Sequence, residues 1–230
     1  AARSSFNWEG AFVYDGVVYD HMHYRLRGHN QRYQLRQKRN MRFRFNRGRH
    51  FQALDQKGRE YPTKWRTMLF CKMFGPRQVG NFGVTESINN HLFNLVGVPA
   101  PFTHFIHFRA IDGIEEAPAG PNGQYEGDFW GMHLAMEDYD SRFLDAHGLP
   151  KANLYKLTDG QTDGKIQQRY QAQDAVSNAE DYNNIVANLH PAASEDFLRT
   201  YADYEHWYRY ETVQQAIRHY DLGVYPDREA

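Results

Sequence analysis

The stretch Arg25–Phe45, RLRGHNQRYQLRQKRNMRFRF, constrains the fold more than any other part of the chain. Between His21 and Leu54 there are ten lysines and arginines and no acidic residue, although the whole chain of 230 residues is nearly neutral at −1. Met41, Phe43 and Phe45 alternate with Arg42 and Arg44, and Tyr24 and Leu26 alternate with Arg25 and Arg27. That period of two is the signature of half-buried strands. Gly28 and the polar residues after it read as a turn. The stretch is therefore expected to form a hairpin with one apolar and one cationic face. Guanidinium groups on such a face present forked donors that match phosphate oxygens. An ordinary solvated strand face accounts for the same pattern.

The flanking sequence is also rich in strands. Asp15-Gly16 separates Ala11–Tyr14 from Val17–Tyr19, a strong hairpin signal. Asn46–Arg49 and Asp55–Gly58 read as turns, and Trp65–Phe70, Thr103–Ile111 and Phe129–Met136 as strands. One helix is expected at about 84–96, with Ile88, Leu92 and Leu95 on its apolar face, Gly97 as its stop and Pro99 beyond. Glu86 falls in its first turn, where the helix dipole favours a carboxylate. Residues 115–128 read as an exposed loop, Ser141–His147 as a short helix, Asn153–Lys156 as a short extended element and Thr158–Asp174 as a polar, mobile connection. From residue 174 onward eleven acidic residues face four arginines, and the apolar spacing becomes helical. The expected fold is α+β: a β-rich part over residues 1–136 and a mainly helical part over residues 137–230.

Several classes of function are excluded or weakened. No apolar run is long enough to span a membrane, and mean hydropathy is −0.81. Near-neutral charge argues against a general nucleic-acid binder. Cys71 is the only cysteine, which rules out an intrachain disulfide or a cysteine metal cluster. No H-E-x-x-H, G-x-S-x-G or Walker loop occurs. The remaining arrangement is a cationic strand, a helix with an early carboxylate and an acidic helical region containing Asp221, the parts that phosphoryl transfer needs.

The ordered motifs Arg25-Leu26-Arg27-Gly28, Lys38-Arg39-Asn40-Met41-Arg42-Phe43, Gly97-Val98-Pro99-Ala100-Pro101, Gly131–Glu137 and Asn153-Leu154-Tyr155-Lys156 resemble those of the CotH family of atypical secreted protein kinases. The resemblance runs from about Tyr24 to Asp221. It implies a kinase-like bilobal fold, ATP with Mg or Mn, and transfer of the γ-phosphoryl to Ser or Thr hydroxyls of secreted or surface proteins. It also implies an extracellular or cell-surface location. Carried over by position, Lys38 or Arg39 holds the nucleotide phosphates, Glu86 pairs with that cation and Arg27 lines the phosphate side. Glu137 lies near the adenine edge, and Asp221 is the catalytic acid. The family's metal-binding D-x-D motif does not follow Asp221, so activity is expected only of a chain continuing beyond Ala230. The alternatives are a non-catalytic, pseudokinase-like surface or assembly protein that keeps the fold, and a polyanion-binding module.

Overall fold

The computed structural model describes residues 6–27, 38–73, 83–158, 165–177, 179–188 and 194–217. Contacts divide the chain into one unit of residues 1–90 and 101–138 and a second of residues 91–100 and 139–230.

The first unit is a curled, antiparallel half-barrel of six strands. In chain order these are β1 (Trp8–Tyr14), β2 (Val17–Leu26), β3 (Met41–Arg44), β4 (Thr67–Cys71), β5 (Thr103–Arg109) and β6 (Phe129–Glu137), and across the sheet they run β1-β2-β3-β4-β6-β5. Helix α1 (Val84–Leu95) lies between β4 and β5 in sequence. The Asp15-Gly16 turn takes positive φ at both residues, 47° and 75°, matching the right-handed twist of the strands it joins. The basic hairpin forms with Tyr24 opposite Phe43 and Arg25 opposite Arg42.

Register then sorts every side chain onto one of two faces. On one face lie Met22, Tyr24, Met41, Phe43, Met68, Phe70, Ile106 and Ala135, and they belong to the main buried cluster. Phe43 is 2% exposed and meets the rings of Phe12, Tyr24, Phe70 and Phe108 at centroid distances of 5.3–6.1 Å. The other face carries Arg25, Arg42 and Arg44 at the β2–β3 end, continuing into Leu69, Leu134 and Met136.

Helix α1 departs from the expected pattern. Ile88 and Leu95, on its apolar stripe, are 52% and 66% exposed, while Ser87 is buried. Hydrogen bonds hold the helix instead. Ser87 Oγ and Thr103 Oγ1 are 2.7 Å apart, and the Asn94 side chain bonds both the carbonyl and the N–H of Ala100. Gly97, at φ 83°, ends the helix as expected, and the Val98 N–H reaches back to the Phe93 carbonyl.

The second unit contains α2 (Ser141–Ala146), the hairpin β7 (Leu154–Thr158) and β8 (Lys165–Tyr170), and helices α3 (Glu180–Asn188), α4 (Glu195–Tyr201) and α5 (Tyr204–Ile217). Strand β8 corrects the expectation of a polar connection there. Its polar side chains hid a strand whose backbone pairs with β7. The break between α4 and α5 falls at Ala202-Asp203, where Asp203 Oδ1 accepts from the His206 N–H. Ser194 caps α4 in the same way through the Phe197 N–H. Phe93 of α1 stacks on Tyr210 of α5 at 5.4 Å.

Candidate phosphate-binding face

Strand β2 delivers Arg27 to the cationic face. Its backbone N–H bonds the Asn40 carbonyl, which extends the pairing of β2 with the segment leading into β3. From there the guanidinium reaches beyond β3 to the end of β4, with Nη1 3.9 Å from Cys71 Sγ. Glu86 of α1 approaches the same point. Crowding raises its carboxyl pKa although its surface is exposed, and the Arg27 charge pulls the other way. Burial pushes the Cys71 thiol up to about 11, with the Glu86 charge adding to the rise. At neutral pH this sulfur is a thiol, not a nucleophilic thiolate. Arg27, Cys71 and Glu86 therefore form one cluster, and Arg27 and Glu86 are coupled through space.

Lys38 lies elsewhere. It is only 7% exposed, and its ammonium donates to the Met132 carbonyl of β6. The last β4–β6 register pair is Cys71 with Leu134, so Met132 lies past the end of β4, and Lys38 satisfies its carbonyl there. Burial brings the Lys38 pKa down to about 8. The buried His133 is held near 3, by desolvation first and the Lys38 charge second. Arg39, half-buried, also has a lowered pKa through desolvation. The Arg27 charge thus acts on Glu86, while the Lys38 ammonium has the Met132 carbonyl as a partner.

The acids at the end of β6 point to opposite faces. Glu137 is buried on the apolar side, where its Oε2 accepts from the Phe102 N–H at 3.4 Å. Asp138, also buried, pairs with Arg42 of the cationic face. Alternation alone explains the difference. Position along the sequence singled out Glu137, whereas the acid that meets the cationic face is its neighbour. The opposite charge on Arg42, in register with Leu69 of β4, is the signal that points to Asp138. Asp221 lies outside the described residues.

An anion approaching this face meets Arg25 and Arg27, with the Glu86 carboxyl close enough to feel the Arg27 charge. A forked guanidinium suits a phosphate, so these residues fit the phosphates of a nucleotide. Among the described residues no three His, Cys, Asp or Glu side chains converge as metal ligands, and no helix is long and apolar enough to cross a membrane. No curated protein matches the chain. The CotH kinase protein family matches residues 25–227, and the chain belongs to that family.

Proposed function

We propose that this protein binds ATP on the cationic face of its half-barrel and transfers the γ-phosphoryl to Ser or Thr hydroxyls of secreted or surface proteins. Family membership supports the reaction class. The observation that carries the site is the reach of Arg27 to Cys71 at the end of β4, from where its charge acts on Glu86 of the helix that follows. Protein kinases pair a basic side chain of the sheet with a glutamate of the helix that follows, and this pair orients the nucleotide phosphates. Here α1 follows β4 in the same way, and Cys71 occupies the end of β4 on the cationic face. Arg27 supplies the charge that Cys71 lacks. It binds phosphate through its fork, and its charge also acts on Glu86. Asp221, carried over from the family motif, accepts or orients the hydroxyl proton. ATP supplies the transferable phosphoryl group. The bound divalent ion that the family implies has no ligand set among the described residues, and no step here depends on it.

Calorimetric titration with ATP tests the site. Arg27→Ala should weaken binding about tenfold, the scale of a charge-assisted phosphate contact. Lys38→Met should bind as the wild type does once its lower stability is allowed for. The reverse ranking would return the phosphate to Lys38, and unchanged affinity in both variants would remove the nucleotide from this face. Incorporation of labelled phosphate into a Ser/Thr-rich protein, abolished in Asp221→Asn, tests the transfer.

A second reading, as a non-catalytic assembly protein, is favoured by the aromatic surface of α4 and α5. Tyr201, Trp207 and Tyr208 are 50%, 55% and 71% exposed. Such rings are enriched at protein interfaces. Sedimentation analysis showing concentration-dependent association, lost in Trp207→Ser with Tyr208→Ser, would support this reading. A monomer at all concentrations would oppose it.

A further inference from the structure

The apolar face of the half-barrel contains a cavity that the phosphate-binding reading does not use. The two edge strands, β1 and β5, meet at one end, where Tyr14 Oη lies 2.6 Å from His104 Nε2. The Tyr14 ring also meets Phe51 of the core, at 5.2 Å. Beyond this closure the edges bound a cavity of about 1300 Å³ that is open to solvent. Its position follows from register, because Trp8 pairs with Tyr24 and Tyr24 with Phe43, all on the side opposite Arg25 and Arg42.

The walls of this cavity are aromatic. Trp8 and Tyr24 stack at 5.5 Å, and Phe43, Phe108 and Trp130 continue the surface. Trp8, Tyr24 and Trp130 are only partly buried, so ring surface remains available to a ligand. The charges around it are mainly acidic. Glu9, Asp15, Asp112, Glu126 and Asp128 line it, against Arg109 alone. Arg109 is already engaged, with Nε 3.0 Å from Glu116 and the guanidinium over the Phe129 ring. Of the acids, Asp128 accepts from the Ala117 N–H, Glu126 from Asn122, and Glu9 pairs with His23 at 3.6 Å on the other side of β1, whereas Asp15 and Asp112 are exposed at the rim.

We infer that this cavity is a binding site for a small organic cation with an apolar or aromatic body. Indole and phenol faces attract a positive charge through their quadrupoles, most strongly where water is partly excluded. The surrounding carboxylates raise the local concentration of cations and oppose anions. Concave, mainly apolar sites with a few polar groups at the mouth of a barrel are the usual form of a small-molecule pocket. The site faces away from Arg27 and Glu86. It is independent of nucleotide binding and survives the failure of that reading.

The test uses three ligands of similar ring size with the full chain: benzyltrimethylammonium, benzyl alcohol and phenylacetate. Calorimetry should show the cation binding about tenfold more tightly than the neutral alcohol, with phenylacetate weakest. Its binding should quench tryptophan fluorescence, and part of that quenching should disappear in Trp8→Leu. Neutralising the exposed rim in Asp15→Asn with Asp112→Asn should weaken the cation several-fold while leaving benzyl alcohol unchanged. Those two positions are on the surface, so the double variant should fold, and its thermal midpoint would verify that. Equal binding of all three ligands, preference for phenylacetate, or insensitivity to the rim variant would overturn the proposal. So would the absence of cation binding up to about 10 mM, the weak end of specific recognition.

Discussion

The two faces of the one sheet contrast in how they are held together. The apolar face is closed by rings in mutual contact: Phe12, Phe43, Phe45 and Phe51 lie within 5.7 Å of a neighbouring ring. The opposite face at the β2–β3 end carries directional contacts of charged groups, such as Arg42 with Asp138 and Arg27 with the neutral Cys71 thiol. Burial of aromatic area is insensitive to pH and salt. Charged contacts depend on both, and they leave donors for a ligand. The apolar face therefore shapes the sheet, and the charged face keeps groups whose contacts respond to pH and salt.

The largest effect should come from the apolar face. Phe43→Ala removes a ring that touches four others and should cost about 3–5 kcal/mol in urea unfolding. A loss below about 1 kcal/mol would mean that the face is loosely packed and the contrast is false. On the charged face, Asp138→Ala strands the Arg42 guanidinium, which is 31% exposed, and should cost about 2–3 kcal/mol. High salt should shrink an exposed pair's contribution but change this one little, because Asp138 is fully buried.

Lys38 gives the pH-dependent test. Its folded pKa of about 8 lies below the unfolded value of 10.5, so between those values the unfolded chain binds more protons. Stability should then rise with pH, by about 1 kcal/mol per unit between pH 8.5 and 9.5, relative to Lys38→Met, which lacks this proton. Restricting the comparison to that window avoids Tyr61, whose hydroxyl is pushed up to about 12 by burial and which acts in the opposite direction above pH 10. Parallel stability curves for wild type and variant would show that the Lys38 ammonium is hydrated. The smallest effect should come from Arg44→Gln, since Arg44 is exposed on the charged face. Thermal unfolding should change by less than about 0.5 kcal/mol. A larger loss would mean that the cationic face contributes to folding after all.

The alternation of Arg25–Phe45 and the Asp15-Gly16 turn determined the strands, the hairpins and the two-faced character of the sheet. These are local properties, set by side-chain period and backbone sterics, and they are legible wherever a strand has one wet and one dry side. The same reasoning placed Gly97 at the end of α1. It missed β8, because a strand built mostly of polar residues has no hydrophobic period to read. It also misassigned the buried side of α1, whose docking rests on Ser87 and Asn94 and not on its apolar stripe. Within the candidate site, the sequence supplied the list of cations and acids but not their pairing. Arg27 reaches Cys71 because the curled sheet brings the end of β2 past β3 to the end of β4, and Lys38 turns to Met132 because β4 has ended there. Such pairings join residues many positions apart through sheet order and strand length, which no local period encodes. The cavity on the apolar face likewise exists only because the edges β1 and β5, opposite ends of the sheet, are brought together at Tyr14 and His104.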